Sequence, residues 1–195
     1  MENQKKIKRI DFLPASPAGG PDNVKDLAEI NEALAIGYGQ TISQPEVVAF
    51  MLKLLKPKLG NKILDVGSGS GWTTALLANI VGEKGRVVAI ELIPELMEFG
   101  KKNVAQYIFI KKGIVEFICA DGSKGYKKEA PYDRILVSAA VQEEIPKAWK
   151  EQLKIGGRLV APVGNSIWLL IKKSKNDFER IEYPGFIFVP LIEKR

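Results

Sequence analysis

Three glycines at alternate positions, Gly67, Gly69 and Gly71, follow the apolar run Ile63 to Val66, which carries one acid, Asp65. The run has the make-up of a buried parallel strand. Beyond the glycines, Leu76, Leu77, Ile80 and Val81 fall at helical spacing. Strand, glycine turn and helix together form a nucleotide-type site. Glycine lets the main chain approach a ligand and tolerates positive φ, and a helix N-terminus offers unpaired N–H groups. A dinucleotide fingerprint needs glycine at the first, third and sixth positions, but the sixth here is Trp72. A second acid, Glu91, closes the run Arg86 to Ile90, 91 − 71 = 20 residues after the last glycine. An acid at that offset, on a strand's C-terminal tip, can accept hydrogen bonds from both ribose hydroxyls. It can also supply negative charge to the start of the helix from Pro94. A third acid, Asp121, enters the turn Asp121-Gly122-Ser123.

The rest of the inventory removes whole classes of chemistry. Among 195 residues there is no histidine and one cysteine, Cys119. The commonest general base and metal ligand is therefore missing. A zinc site is not expected, and no intrachain disulfide can form. Net charge is 29 − 23 = +6. The lysines come in scattered pairs, such as Lys5/Lys6 and Lys172/Lys173, without interleaved aromatics. That is the pattern of a solvated surface, so no nucleic acid is expected as a partner. No apolar run is long enough to span a bilayer. Met1 to Arg9 is polar and basic with no apolar h-region, so neither a signal peptide nor a membrane is expected, and the cytoplasm is the expected location.

The elements that must position the three acids can be laid out in order. Residues 1–34 form an N-terminal segment with a Gly/Pro-rich loop from Ala15 to Asn23 and a short helix over Val24 to Leu34. Ser43 with Glu46 fits a capping box, with Pro45 in the first turn of a helix whose apolar face is Val47, Phe50, Met51, Leu54 and Leu55. Strands are predicted at 63–66, 86–90, 114–119, 132–137 and 158–162, and helices at 73–81, 94–107 and 143–153. A hairpin of 166–173 and 178–183 follows, with a last strand at 186–191. This order predicts one α/β domain over residues 1–195, with a doubly wound, mostly parallel seven-stranded sheet and an antiparallel C-terminal part.

Taken together, these segments resemble the protein-L-isoaspartate(D-aspartate) O-methyltransferases. The matching pieces include Ile36-Gly-Tyr-Gly-Gln-Thr-Ile-Ser-Gln-Pro45, Leu64-Asp-Val-Gly-Ser-Gly-Ser-Gly71, Ile90-Glu91, Asp121-Gly122-Ser123, Ala130-Pro-Tyr-Asp133, Pro162-Val-Gly164 and Phe188-Val-Pro-Leu191. The glycine motif is shared by many S-adenosylmethionine (SAM) dependent methyltransferases, whereas the Gly-Gln-Thr-Ile-Ser stretch is far more specific. The resemblance implies the Rossmann-like fold of SAM-dependent methyltransferases. It also implies methyl transfer from SAM to the free carboxylate of L-isoaspartyl residues (or the side-chain carboxylate of D-aspartate) in damaged proteins. The ester then collapses to a succinimide, which begins repair. On the same resemblance, Asp65, Gly67, Ser68 and Gly69 would line the methionine end, Glu91 with Leu92 the ribose, and Asp121 with Gly122 the adenine. Thr41, Ile42 and Ser43, with Ala139 and Ala140, would face the substrate, and Ser43 matches the family's active-site position. A monomer is expected.

The chain departs from the family in two places. Only 38 residues precede the Gly-Gln-Thr-Ile-Ser stretch, and Glu46 stands where His or Tyr is usual. The proposed chemistry suits a chain without histidine. A carboxylate with a reference pKa of about 4 is already an anion at neutral pH. It has only to be aligned at about 3–3.5 Å and stripped of water. The readings weighed beside this one are a SAM-dependent enzyme acting on RNA or a small molecule, and a non-catalytic SAM-binding protein. The place after the fourth strand holds Ser138-Ala139-Ala140 rather than the Asp/Asn-Pro-Pro-aromatic signature of base N-methylation.

Overall fold

The computed structural model describes residues 6–15 and 28–193. A short hairpin of β1 (Leu34–Gly37) and β2 (Gln40–Ile42) precedes α1 (Pro45–Leu55). The alternation β3 (Lys62–Val66), α2 (Trp72–Val81), β4 (Arg86–Glu91), α3 (Pro94–Ala105) and β5 (Val115–Cys119) follows. Next come β6 (Tyr132–Val137), α4 (Lys147–Gln152) and the meander β7 (Leu153–Val163), β8 (Ser166–Lys172) and β9 (Phe178–Pro184).

The main sheet has seven strands in the order β5-β4-β3-β6-β7-β8-β9. The first five in this order pair in parallel, and β8 and β9 pair antiparallel. The chain leaves β3 toward β4 on one side, and β6 returns on the other. The C-terminal ends of β3 and β6 therefore open a crevice at the point where strand order reverses, the standard ligand position of such sheets. Side chains alternate across the sheet as the pleat demands. Ile63, Val87 and Leu136 join the layer packed under α1, α2 and α3, while Leu64, Val88, Ile135 and Val137 join the layer around Trp149 and Leu153.

Several expectations need correction. The strand expected over Phe186–Leu191 is absent, and only a single parallel bridge joins Ala140 to Pro190. Pro190 has no N–H for a ladder, and Gly185 at φ +93° turns the chain away after β9. The helix over 143–153 is confined to Lys147–Gln152, because Pro146 disfavours helical geometry at the residue before it. Gly156 and Gly157 do not end that helix. They lie inside β7, whose pairing with β6 jumps from Tyr132↔Leu153 to Arg134↔Arg158. The hairpin β1–β2 lies outside the strands that the sequence predicts. Of the helix expected from Val24, residues 24–27 lie outside the described residues, and Leu34 belongs to β1.

The glycine turn is held by α3. Asn103 Nδ2 donates to the Ser70 carbonyl at 3.0 Å, and both groups are buried. A Cβ on Gly100 would come within 2.5 Å of the Gly69 carbonyl oxygen. Gly100 sits inside a helix, where alanine is ordinarily favoured by about 1 kcal/mol. Here the clash with main chain outweighs that gain, since overpacking costs about 1–3 kcal/mol. Gly100→Ala is therefore expected to lower the urea midpoint, and a raised midpoint would show that the turn yields freely.

Candidate active site

The crevice is walled by several separate pieces of chain. Gly67 to Ser70 with Trp72 and Thr73 form its floor, Glu91 to Ile93 one side, and Ser138 and Ala139 with Val189 to Ile192 the other. Ile36 and Gln40 to Ser43 cover it. It encloses about 70 Å³ and continues into a groove of about 450 Å³ lined by Ala33, Val47 and Gly185 to Val189. Thr41, Ser43, Ser138 and Val189 border both spaces.

The turn requires its glycines. Gly67, Gly69 and Gly71 have φ of +74°, +51° and +86°, the left-handed region that side chains disfavour. The turn is tied to β4 by its own amides, with Gly67 and Ser68 N–H donating to the Ile90 carbonyl at 2.9 and 3.0 Å. Glu91 completes the tie. Its carboxylate accepts the Gly69 N–H at 2.9 Å, Leu92 N–H at 2.8 Å and Ile93 N–H at 3.0 Å. Three of roughly four acceptor directions are thus used within the chain, and Glu91 still borders the cavity.

Asp65 is not part of the wall. It is fully buried beneath the turn, where one carboxylate oxygen accepts the Thr74 hydroxyl at 2.6 Å and the Thr73 hydroxyl at 3.2 Å. Its other oxygen is buried without a partner, as is the Ser68 hydroxyl. Burial raises the Asp65 carboxyl to about 6. The two threonine hydrogen bonds oppose that rise, and the nearby Glu91 charge adds to it.

Asp121 also stands back from the cavity. One of its oxygens accepts the Ser123 N–H at 3.0 Å and the Ser123 hydroxyl at 2.7 Å, which shapes the turn. Its neighbour Gly122 does line the cavity. The Gly122 carbonyl is fixed by Trp149 Nε1 at 2.8 Å, and a Cβ there would strike Val66 at 2.6 Å. Ala139 lines the cavity and Ala140 does not. The Ala140 N–H donates to the Val189 carbonyl, and its carbonyl accepts from Leu191 N–H, both at 2.8 Å. Ala140 thereby pins the segment that walls the groove.

Ser43 is not a helix cap. The N-cap of α1 is Gln44, which makes no side-chain capping bond. The Glu46 N–H is satisfied instead by Asn31 Oδ1 at 3.0 Å. The expected Ser43/Glu46 capping box is absent, and Ser43 borders both the cavity and the groove. One contributor escaped the sequence reading. Buried Arg9 donates to the Ser43 carbonyl at 3.2 Å, and no motif around it signalled this.

The sheet order and the glycine turn at its switch point define a SAM-dependent methyltransferase. The residues present suit SAM: a positive-φ glycine cradle, an unpartnered Ser68 hydroxyl and a Glu91 carboxylate on the wall. The family model described as protein-L-isoaspartate(D-aspartate) O-methyltransferase matches residues 2–195, and the chain belongs to that family. A protein-L-isoaspartate O-methyltransferase of Methanopyrus kandleri is 41% identical over 191 residues, covering 96% of this chain and 80% of that one. Protein-L-isoaspartate O-methyltransferase 2 of Archaeoglobus fulgidus is 46% identical over 174 residues, covering 88% and 78%. A solved protein-L-isoaspartate O-methyltransferase superposes with TM-score 0.82 at 29% identity, over 95% of this chain and 58% of that one. Among the described residues, no helix is long and apolar enough to cross a membrane.

Asp65 gives stability a pH dependence of definite sign. Its folded-state value, about 6, lies above the ordinary 3.8. Between these values the folded state keeps a proton that the unfolded state has lost, so stability falls as pH rises through that window. At about 1.4 kcal/mol per unit, the full cost above pH 7 is about 3 kcal/mol. Asp65→Asn removes this contribution. Guanidinium titrations of parent and variant at acid and neutral pH should show the variant losing less stability on going to neutral. Equal losses would show that Asp65 stays ionised throughout.

Proposed function

We propose that this chain, acting as one domain and as a monomer in the cytoplasm, transfers the methyl group of SAM to the free carboxylate of L-isoaspartyl residues in damaged proteins. D-aspartyl carboxylates are taken as a secondary substrate. The observation that carries this reading is Ser43. It is not the cap of α1, and it borders both the glycine-turn cavity and the adjoining groove. A peptide carboxylate entering by the groove would meet the cavity there.

When bound, SAM supplies an electrophilic methyl group. The chain's own residues bind, orient and exclude water. Glu91 offers its remaining acceptor capacity to a ribose hydroxyl, with Leu92 beside it. The Gly67-Ser68-Gly69 backbone and the Ser68 hydroxyl face the methionine end. Gly122 provides a flat approach for the adenine, and Asp121 holds Gly122 in place through Ser123. Asp65 acts from beneath the turn, through its charge and its hold on Thr73 and Thr74. Thr41, Ile42, Ser43 and Ala139 receive the substrate. Ser43 orients the carboxylate and takes no proton, because a serine with no base beside it is a poor base.

Matched isoaspartyl and aspartyl peptides with tritiated SAM test the reading. Label should enter the isoaspartyl peptide alone, and equal labelling of both would sink it. Ser43→Ala should lower turnover by about ten- to a hundredfold through misalignment. SAM affinity and melting temperature should hold, since no capping bond is lost. A variant that turns over at the parent rate would remove Ser43 from the mechanism. Glu91→Gln cannot accept all three backbone N–H bonds and a ribose hydroxyl. Charged hydrogen bonds are worth about 1.5–3 kcal/mol, so calorimetry should show SAM binding weakened by about tenfold or more.

A further inference from the structure

Arg9 stands in a short 3-10 turn, Arg9–Phe12, before the hairpin. It is only 7% exposed. One terminal nitrogen donates to the carbonyls of Ala28 (3.3 Å) and Ile30 (3.1 Å). The other donates to the carbonyls of Glu32 (2.6 Å) and Ser43 (3.2 Å). The guanidinium also lies over the Trp72 ring, 5.5 Å from its centroid. Trp72 and Ser43 both line the crevice. One planar cation therefore joins the chain before the hairpin, the Ser43 turn and the first residue of α2.

The bond to Ser43 has a particular role. The helical ladder of α1 begins at the Gln44 carbonyl, which accepts the Val48 N–H at 3.2 Å. The Ser43 carbonyl lies outside that ladder, so Arg9 is what fixes it. The 3-10 turn that carries Arg9 is also tied down at a second point, which does not involve the guanidinium. The Tyr107 hydroxyl accepts the Lys8 N–H at 3.2 Å and donates to the Asp11 carboxylate, and its ring stacks on Phe12. A lysine has three donors at one point and cannot reproduce a fork that serves carbonyls from separate segments.

We propose that Arg9 is a positioning residue for methyl transfer: its guanidinium fixes the Ser43 main chain, and so the Ser43 hydroxyl, against the crevice. The proposal rests on the isoaspartyl methyltransferase reading above. Its effect falls on turnover, because the residues placed around SAM are held by Glu91 and α3.

The test compares Arg9→Lys and Arg9→Ala with Tyr107→Phe, which loosens the same segment without touching Ser43 or Trp72. Melting temperature, SAM affinity by calorimetry, and kcat and KM on isoaspartyl peptide are measured at one temperature well below every melting point. Both Arg9 variants should lose about tenfold or more in kcat while SAM affinity stays within about twofold. Tyr107→Phe should lose stability and keep its kcat. Where Arg9→Ala fails to fold, Arg9→Lys gives the same comparison. Parent-like kcat in the Arg9 variants overturns the proposal, because their role is then structural. So does a kcat loss matched by Tyr107→Phe. A parent that leaves isoaspartyl peptide unmethylated overturns the functional reading and this proposal together. An active parent with active Arg9 variants overturns this proposal alone.

Discussion

One carboxylate closes the joint that main-chain bonds begin between the glycine turn and β4. Three positive-φ glycines in five residues have little intrinsic reason to stay in one conformation, since glycine loses more freedom on folding than any other residue. Glu91 supplies the constraint by accepting N–H bonds from Gly69 on one side and Leu92 and Ile93 on the other. Charged acceptors make stronger bonds than neutral ones, so the joint between the β3 turn and the end of β4 is set before any ligand arrives. The close approach of α3 to the turn depends on that shape, with Gly100 against the Gly69 carbonyl and Asn103 on Ser70. A residue expected to hold a ribose thus also holds the site that would surround it.

The central strands were legible because each is an apolar run bounded by turn residues, and in a buried parallel sheet nothing else competes with that signal. The failures have local causes that composition does not carry. The β1–β2 hairpin has strands of only four and three residues, too short for an alternation to register. The run Phe186-Ile-Phe-Val looks like a strand, yet Gly185 and Pro190 send it across the strand ends as a wall of the groove. The capping box failed through a long-range competitor, since Asn31 reaches the Glu46 N–H from fifteen residues away.

The site was legible to the extent that it is made of sequence-local motifs. Gly67 to Gly69, Glu91, Gly122, Ser43 and Ala139 stand on the cavity wall because strand tips and turns put them there. Asp65, Asp121 and Ala140 sit one layer behind it, holding respectively two threonines, the Ser123 turn and the Val189–Leu191 segment. Spacing along the chain places a residue at a strand end. Whether its side chain faces the cavity or its own backbone depends on partners elsewhere. Arg9 shows the limit, because a lone arginine in Ile7-Lys-Arg-Ile-Asp-Phe12 gives no sign of the four carbonyls it gathers.

Charge is distributed unequally along the crevice, and that bears on a reaction without a general base. The glycine-turn end has Glu91 on the wall and Asp65 beneath, with one Asp65 oxygen left without a hydrogen-bond donor. That end suits a cationic group, and a cation nearby would draw Asp65 toward its ionised form. At the Ser43 end, a charged group behind the wall is the guanidinium of Arg9, which bonds to carbonyls and lies over the Trp72 ring. That end suits an anion. On the proposed reading, the methyl donor is a sulfonium and the acceptor a carboxylate, so the fixed charges favour one orientation of the pair and disfavour its reverse. Such preorganised charge needs no proton to move at the moment of transfer, which is how a chain lacking histidine can align an anion with a cationic methyl donor.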